Sequence, residues 1–382
     1  MLNCRNYGLD VLRACAILLV LASHSLFFVI QIFPQSGTVK QISYFCGFWG
    51  VELFFILSGF LIGKIIRDLI TRDSRHWIIS FWIRRWFRTI PCYFLFLGLN
   101  VIWFYYLYSA LPKSLLSYFI FAQNLGWEHP DFFPEAWSLS VEEYFYLIFP
   151  ILILLLLKCG LRPVIAYLTG GTILLLFSTM LRLVYVVIEP SLSWDSGIRK
   201  VVIFRFDSLM YGVYLSIFID RIRRVDQRKS LFFIGLIALL ASMIAYFSLD
   251  PDHSFFLKTF QFSITSIGFM LVIPYMLDFR LAERTFVGSF FRKTALWSYS
   301  MYLSNFLIYN VIQQLIFSKY FTKNIMYGAV FCIMLLIFSC YLVSSFIYKI
   351  YEFPLMNLRE PVVVWLKKSL YRVGFYRQFT TP

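Results

Sequence analysis

The chain has 382 residues, of which 60% are hydrophobic, 21% aromatic and only 14% charged. Soluble domains carry roughly a quarter charged residues, so a water-facing surface cannot be built from this composition. Soluble enzyme folds, disorder, collagen and coiled coil are excluded as the main body. The net charge of +15, from 35 Lys and Arg against 20 Asp and Glu, reads as the loop excess of a membrane protein, and no nucleic-acid partner is expected.

An apolar run of about 20 residues crosses a hydrocarbon core of about 30 Å. Ten such runs follow one another, at 8–32, 44–66, 89–108, 137–157, 163–187, 201–219, 231–248, 259–277, 294–317 and 325–350. Backbone polar groups must be satisfied inside lipid and no strand-like alternation is present, so the runs predict an all-α polytopic fold of about ten transmembrane helices. With the N-terminus in the cytoplasm, the inner segments hold 23 of the basic residues, including Arg5, Arg67, Arg72, Arg75, Arg224, Arg284 and Arg377, and the outer ones hold 7, including Lys113 and Lys323. That asymmetry predicts N-in and C-in. Residues 1–350 read as one transmembrane domain. Residues 351–382 read as a basic amphipathic cytoplasmic tail (VVVWLKKSLYRVGFYR) drawn to anionic membrane lipid. A removable signal peptide is not expected, because the first run holds Arg13 and His24 and has no small-residue cleavage site. The seven cysteines form no CxxC pair, so neither a disulfide framework nor a metal site is expected.

Ionisable groups inside spans are costly and are functional candidates. Span one holds Arg13 and His24 with ten uncharged residues between them. Eleven helical steps are about three turns, so both lie on one face roughly 16 Å apart along the axis. Arg13 falls near the cytoplasmic entrance, where it could also snorkel to headgroups. His24 lies deep or toward the outer half, and could also be a packing histidine. Span two (FWGVELFFILSGFLIG) holds Glu52, which needs a partner, and Gly50, Ser58, Gly59 and Gly63 permit close helix approach. In FWIRRWFRTIP, Arg84, Arg85 and Arg88 read either as positive-inside charge or as an anionic clamp. Span four opens with AWSLSVEEYFYLIFP, where Glu142 and Glu143 enter the bilayer from outside and Ser138 or Ser140 could cap the helix. Span six (FRFDSLMYGVYLS) carries Arg205 and Asp207, read as an internal ion pair. Span nine (WSYSMYLSNFLI) carries the polar run Ser298, Ser300, Ser304 and Asn305, and YEFPLMNLRE follows span ten.

Taken in order, GLDVLRACAILLVLASHS, GVELFFILSGFLIG, RRWFRTIP, WSLSVEEYFYLIFP, FRFDSLMYGVYLS, SYSMYLSNFLI and YEFPLMNLR resemble the membrane-bound acyltransferase-3 family over nearly the whole chain. The resemblance implies about ten transmembrane helices, an acetyl-CoA or other acyl-CoA donor, no metal, and transfer to a hydroxyl of a surface or exported glycan or lipid-linked saccharide. It implies a multi-pass protein of the bacterial inner membrane whose acceptor faces the periplasm. Arg13 and His24 carry over as the functional pair, and Glu142 as the acidic residue of the SxxE-type motif. One position departs: where the family often has His at the end of the SYSxYLxH segment, this chain has Asn305. In the mechanism these residues suggest, His24 is general base on the acceptor hydroxyl, and Glu142 orients it or relays its proton. Arg13 holds the donor's anionic part or polarises its thioester, and Arg84, Arg85 and Arg88 meet the CoA phosphates. A covalent acyl-His24 intermediate is a competing version. The rival class is a transporter or flippase of a glycan or acyl group without transfer chemistry, against which stand the lack of repeated halves and of paired broken helices.

Overall fold

The computed structural model describes residues 6–72, 76–280, 285–321 and 324–372. Arg5, Arg75, Arg284, Lys323 and Arg377, and the tail beyond residue 372, lie outside the described residues. Ten helices correspond one for one to the ten runs: α1 Tyr7–Ile32, α2 Gly37–Arg72, α3 Trp77–Tyr108, α4 Ala136–Lys158, α5 Pro163–Ile188, α6 Phe206–Phe218, α7 Val225–Ser248, α8 Gln261–Met276, α9 Phe286–Ile312 and α10 Ile325–Ile347. A further helix, α11 (Arg359–Arg372), follows. No strand occurs among the described residues. α1 to α5, α7 and α10 are long and apolar enough to cross a membrane. α6 and α8 are shorter, at 13 and 16 residues, and α9 reaches 27 residues but is interrupted by polar side chains.

Local chemistry starts these helices where the sequence provides it. Asn6 caps α1 by accepting from Leu9 N at 3.1 Å, and Asp10 in the first turn complements the helix dipole. The Asn6 amide also donates to Leu277 O at 2.8 Å, pinning the start of α1 to the end of α8. Pro163 occupies the first turn of α5, and Thr285 caps α9 through Gly288 N at 3.1 Å.

α1 packs along α2 and α9, α2 along α6, α7 along α8, and α9 along α10. Small residues set the closest of these crossings. A Cβ on Gly59 of α2 would stand 2.0 Å from Leu209 O of α6, and one on Gly212 of α6 would stand 2.2 Å from Ile56 O of α2. The two backbones therefore touch where only hydrogen fits, and dispersion contact replaces the hydrophobic drive that lipid does not supply.

α2 is longer than its apolar run at both ends, because its polar turns continue the helix beyond the hydrocarbon. α6 is shorter than expected. Instead of helix from residue 201, the chain makes a π-helical turn at Trp194–Arg199 and a 3-10 turn at Val202–Phe204 before α6 begins. The 3-10 turn, which falls within the apolar run, is buried in protein, the setting in which irregular backbone survives at membrane depth. The first part of the tail does not hang free: α11 leans on α3, where Arg84 Nη2 donates to Glu360 Oε2 at 3.0 Å.

Candidate active site

Four fully buried charges organise the bundle behind the site. The expected ion pair between Arg205 and Asp207 does not form. Arg205, the residue just before α6, instead pairs with Glu52 of α2, and Asp207 of α6 pairs with Arg182 of α5 at 2.8 Å. Arg205 is the N-cap of α6, with non-helical φ −125° and ψ 4°, while Asp207 lies in the first turn, so the two side chains leave the chain in different directions and each finds its partner on a different neighbour. Arg205 also donates to Ser208 Oγ at 2.9 Å and to Arg199 O at 3.1 Å. Ser266 donates to the second oxygen of Glu52 at 3.2 Å. Arg182 spends its remaining donors on Phe204 O and Thr259 O, at 2.6 and 3.0 Å. Buried ions tied in this way to one another and to backbone are structural first. Glu52, Arg205 and Asp207 are thereby placed away from the cavity described next.

Between α1, α2, α3, α4 and α9 lies a cavity of about 110 Å³ whose walls include Arg13, Ser58, Arg85, Arg88, Glu142 and Tyr146. α3 delivers Arg85 and Arg88 together because they are three residues apart on one face. Arg84, one step away, turns outward to Glu360 and is not part of the wall. Arg85 lies with its guanidinium 4.6 Å from the Tyr146 ring centre and donates to Tyr146 Oη at 3.2 Å and Ser58 Oγ at 3.3 Å. Tyr146 in turn donates to Glu142 Oε2 at 2.8 Å. Arg13 is steadied by Asp10 at 2.7 Å. Three guanidinium groups and one carboxylate thus line one cavity, which suits a ligand carrying negative charge.

Neither serine caps α4. The helix starts at Ala136, so Ser138 and Ser140 sit inside it and donate back to Glu135 O and Ala136 O at 3.4 and 3.2 Å. Glu143 points away from Glu142 and accepts from Thr89 Oγ1 at 2.7 Å.

His24 stands apart from this cavity, three turns along α1 from Arg13. Its ring stacks on Phe27, with centroids 5.6 Å apart, and meets the edge of Phe306 at 5.1 Å. Its Nδ1 hydrogen-bonds to Asn305 Oδ1, not to Glu142. The orienting role expected for Glu142 therefore has no contact behind it, because Tyr146 holds that carboxylate on the other side of the site. Tyr302 links the two halves. It lines the cavity, shares a hydrogen bond with Ser138 Oγ at 2.7 Å, and lies one turn from Asn305 on α9.

Sequence reasoning missed Glu135 and Tyr146. Glu135 is buried just before α4, and its Oε1 accepts the backbone N–H of Phe306 at 3.0 Å. An acidic residue immediately ahead of an apolar run was the available signal, but it reads equally as a loop charge. Tyr146 lay within the quoted motif, one turn beyond Glu142, a spacing that places two side chains in contact on a helix.

An acyltransferase-domain family model matches residues 6–344. Among curated proteins, the chain is similar to the peptidoglycan O-acetyltransferase OatA of Listeria monocytogenes, with 30% identity over 171 residues, which is 41% of this chain and 25% of that protein. It is also similar to the O-acetyltransferase OatA of Staphylococcus aureus, with 28% identity over 209 residues, 46% of this chain and 32% of that protein. The putative peptidoglycan O-acetyltransferase YrhL of Bacillus subtilis is 30% identical over 158 residues, 37% of this chain and 23% of that protein. The matched region therefore spans about a third or less of these relatives. No solved structure matches the chain.

Proposed function

The chain belongs to the acyltransferase-3 family, and on that basis we propose that it is an integral membrane O-acetyltransferase. It moves an acyl group, acetyl first among candidates, from acyl-CoA to a hydroxyl of an exported or cell-surface glycan. The names of the matched relatives favour a peptidoglycan-type acceptor. A bacterial inner membrane is the setting, with the basic tail helix α11 lying on its cytoplasmic face: Val364 and Trp365 are exposed there beside Lys367 and Lys368. Family membership removes the support for a transporter without transfer chemistry.

The observation that carries the reading is a site with two ends on one helix. At one end Arg13, Arg85 and Arg88 line a common cavity. Roughly 16 Å along α1 stands His24, the base candidate. A donor with an anionic head and a long neutral arm suits that separation, because the arginines hold the charge while the arm carries the thioester toward the histidine. His24 takes the proton of the acceptor hydroxyl as its oxygen bonds to the thioester carbonyl carbon. The C–S bond then breaks, and the proton passes to the departing sulfur. Such a base contributes about 10²–10⁴ in rate. Glu142 acts through Tyr146 to set the position of Arg85.

The test uses membranes containing the full chain, radiolabelled acetyl-CoA and a peptidoglycan-type acceptor, with mass spectrometry of the product. Wild type forms an ester-linked acetyl group, and His24→Asn loses at least about 10² in transfer at an equal membrane level. Transfer by His24→Asn at the wild-type rate would remove the base from the mechanism and make Glu142 the leading candidate. No acylated product from any glycan acceptor would defeat the reading as a whole.

A further inference from the structure

The turn of α9 around Asn305 is locked from three directions. Asn305 Nδ2 donates to Met301 O at 2.9 Å and to Tyr302 O at 2.8 Å. The next residue, Phe306, gives its N–H to Glu135 Oε1 at 3.0 Å. Tyr302 Oη donates to Glu135 O at 3.2 Å, tying the same turn to the start of α4. With both amide hydrogens directed at carbonyl oxygens, the carboxamide has one orientation. Turning it over would press Oδ1 against two carbonyl oxygens and forfeit both bonds. The atom that meets His24 Nδ1 is therefore an oxygen.

An amide oxygen only accepts, so the hydrogen of this bond belongs to the imidazole. A neutral imidazole has one N–H and one bare nitrogen, and the partner of the first decides which is which. Among the described residues no hydrogen-bond partner of Nε2 is found, whereas Nδ1 has Asn305. Phe27 and Phe306 bracket the ring and hold its plane.

We propose that Asn305 is a positioning residue that holds His24 as its Nδ1–H tautomer, making Nε2 the atom that receives the acceptor's proton. The use made of Nε2 rests on the reading of His24 as the base; the tautomer itself rests on the geometry of α9 alone. Asn305 thereby does for His24 what the third group of a hydrolytic triad does for its histidine, but with a neutral oxygen. Glu135 supports it from behind through Phe306. This accounts for a polar residue that is 1% exposed and whose oxygen has no other described partner.

The test is nitrogen NMR on the full chain, labelled with ¹⁵N-histidine and held in lipid nanodiscs at pH 8. The chain has four histidines, and the spectrum of His24→Asn assigns the His24 signals by subtraction. Wild-type His24 is expected to show a protonated Nδ1 and a bare Nε2. Asn305→Leu, of similar volume but without an acceptor, is expected to lose that pattern and about 10² or more of acyl transfer. Protonated Nε2 with bare Nδ1 in wild type overturns the proposal even if the variants fold poorly. So does an Asn305→Leu protein with wild-type spectrum and wild-type transfer. A wild-type Nδ1–H pattern in a protein that acylates no acceptor would leave the tautomer standing and defeat the enzymatic reading instead.

Discussion

Arg84 and Arg85 are neighbours in sequence and opposites in use. One helical step of about 100° sends Arg84 to Glu360 at the surface and Arg85 into the cavity against Tyr146. If the cavity holds the donor's anionic groups, Arg85→Ala removes a charge-assisted contact worth about 1.5–3 kcal/mol, and donor affinity falls by about 10- to 150-fold. Arg84→Ala changes it far less than that. Donor titration of both variants by calorimetry decides the point, and equal effects would return both residues to ordinary loop charge. A second residue-scale prediction concerns Asp195, in the loop before α6. Burial pushes its carboxyl up, but Arg199 at 2.7 Å and Lys200 at 2.5 Å together outweigh that and hold it at about 2. Unfolded, the same group titrates near about 3.9. The carboxylate therefore contributes stability above about pH 4 and loses it as pH falls through about 2. Asp195→Asn accordingly melts below wild type at pH 7, and the gap narrows as melting is followed from pH 4 toward pH 2. A gap independent of pH would assign the effect to packing.

Helices pair in this molecule by charges that lie far apart in the sequence. Glu52 and Arg205 are separated by 153 residues and join α2 to the start of α6. Removing one partner leaves a buried uncompensated charge, so Glu52→Gln costs about 3–5 kcal/mol of stability, while Glu52→Gln with Arg205→Gln costs less than the sum of the two single changes. Melting of the three variants in one detergent measures this, and strict additivity would mean that the pair is not coupled. The same separation explains what sequence reading could reach. Each span was legible because a 20-residue apolar run is a local property, and Arg13 and His24 shared a face by helical arithmetic alone. The partners of Glu52, Asp207 and His24 were not legible, since they come from other helices whose rotation about their own axes no local pattern specifies. For the same reason Arg205 and Asp207, opposite in sign and two residues apart, suggested a pair that does not form, since α6 begins between them. The caps proposed at Ser138 and Ser140 failed for a smaller reason: α4 begins at Ala136, ahead of both serines.

As a whole the molecule has two ends with different chemistry, connected by α1. Guanidinium groups gather in the cavity reached by Arg13, and the imidazole stands three turns away beside α9. The orientation of those ends follows from the basic residues of the loops, which place Lys113 outside and Arg224 inside. In intact cells a membrane-impermeant thiol reagent is expected to label Lys113→Cys and not Arg224→Cys. The reverse pattern would put the acceptor side in the cytoplasm and end the proposed division of labour. The buried charge pairs also bear on how such a protein is made. α2 leaves the ribosome carrying Glu52 with no counter-charge, and its partner is synthesised 153 residues later. α6, which brings that partner, has 13 residues, about 20 Å of helix, too short to cross about 30 Å of hydrocarbon alone. Its entry thus depends on helices already in the bilayer, and theirs is finished only by its arrival. Biogenesis then has a commitment point near residue 207, before which a stalled chain exposes the carboxylate of α2 and the Arg182 guanidinium of α5 to membrane quality control.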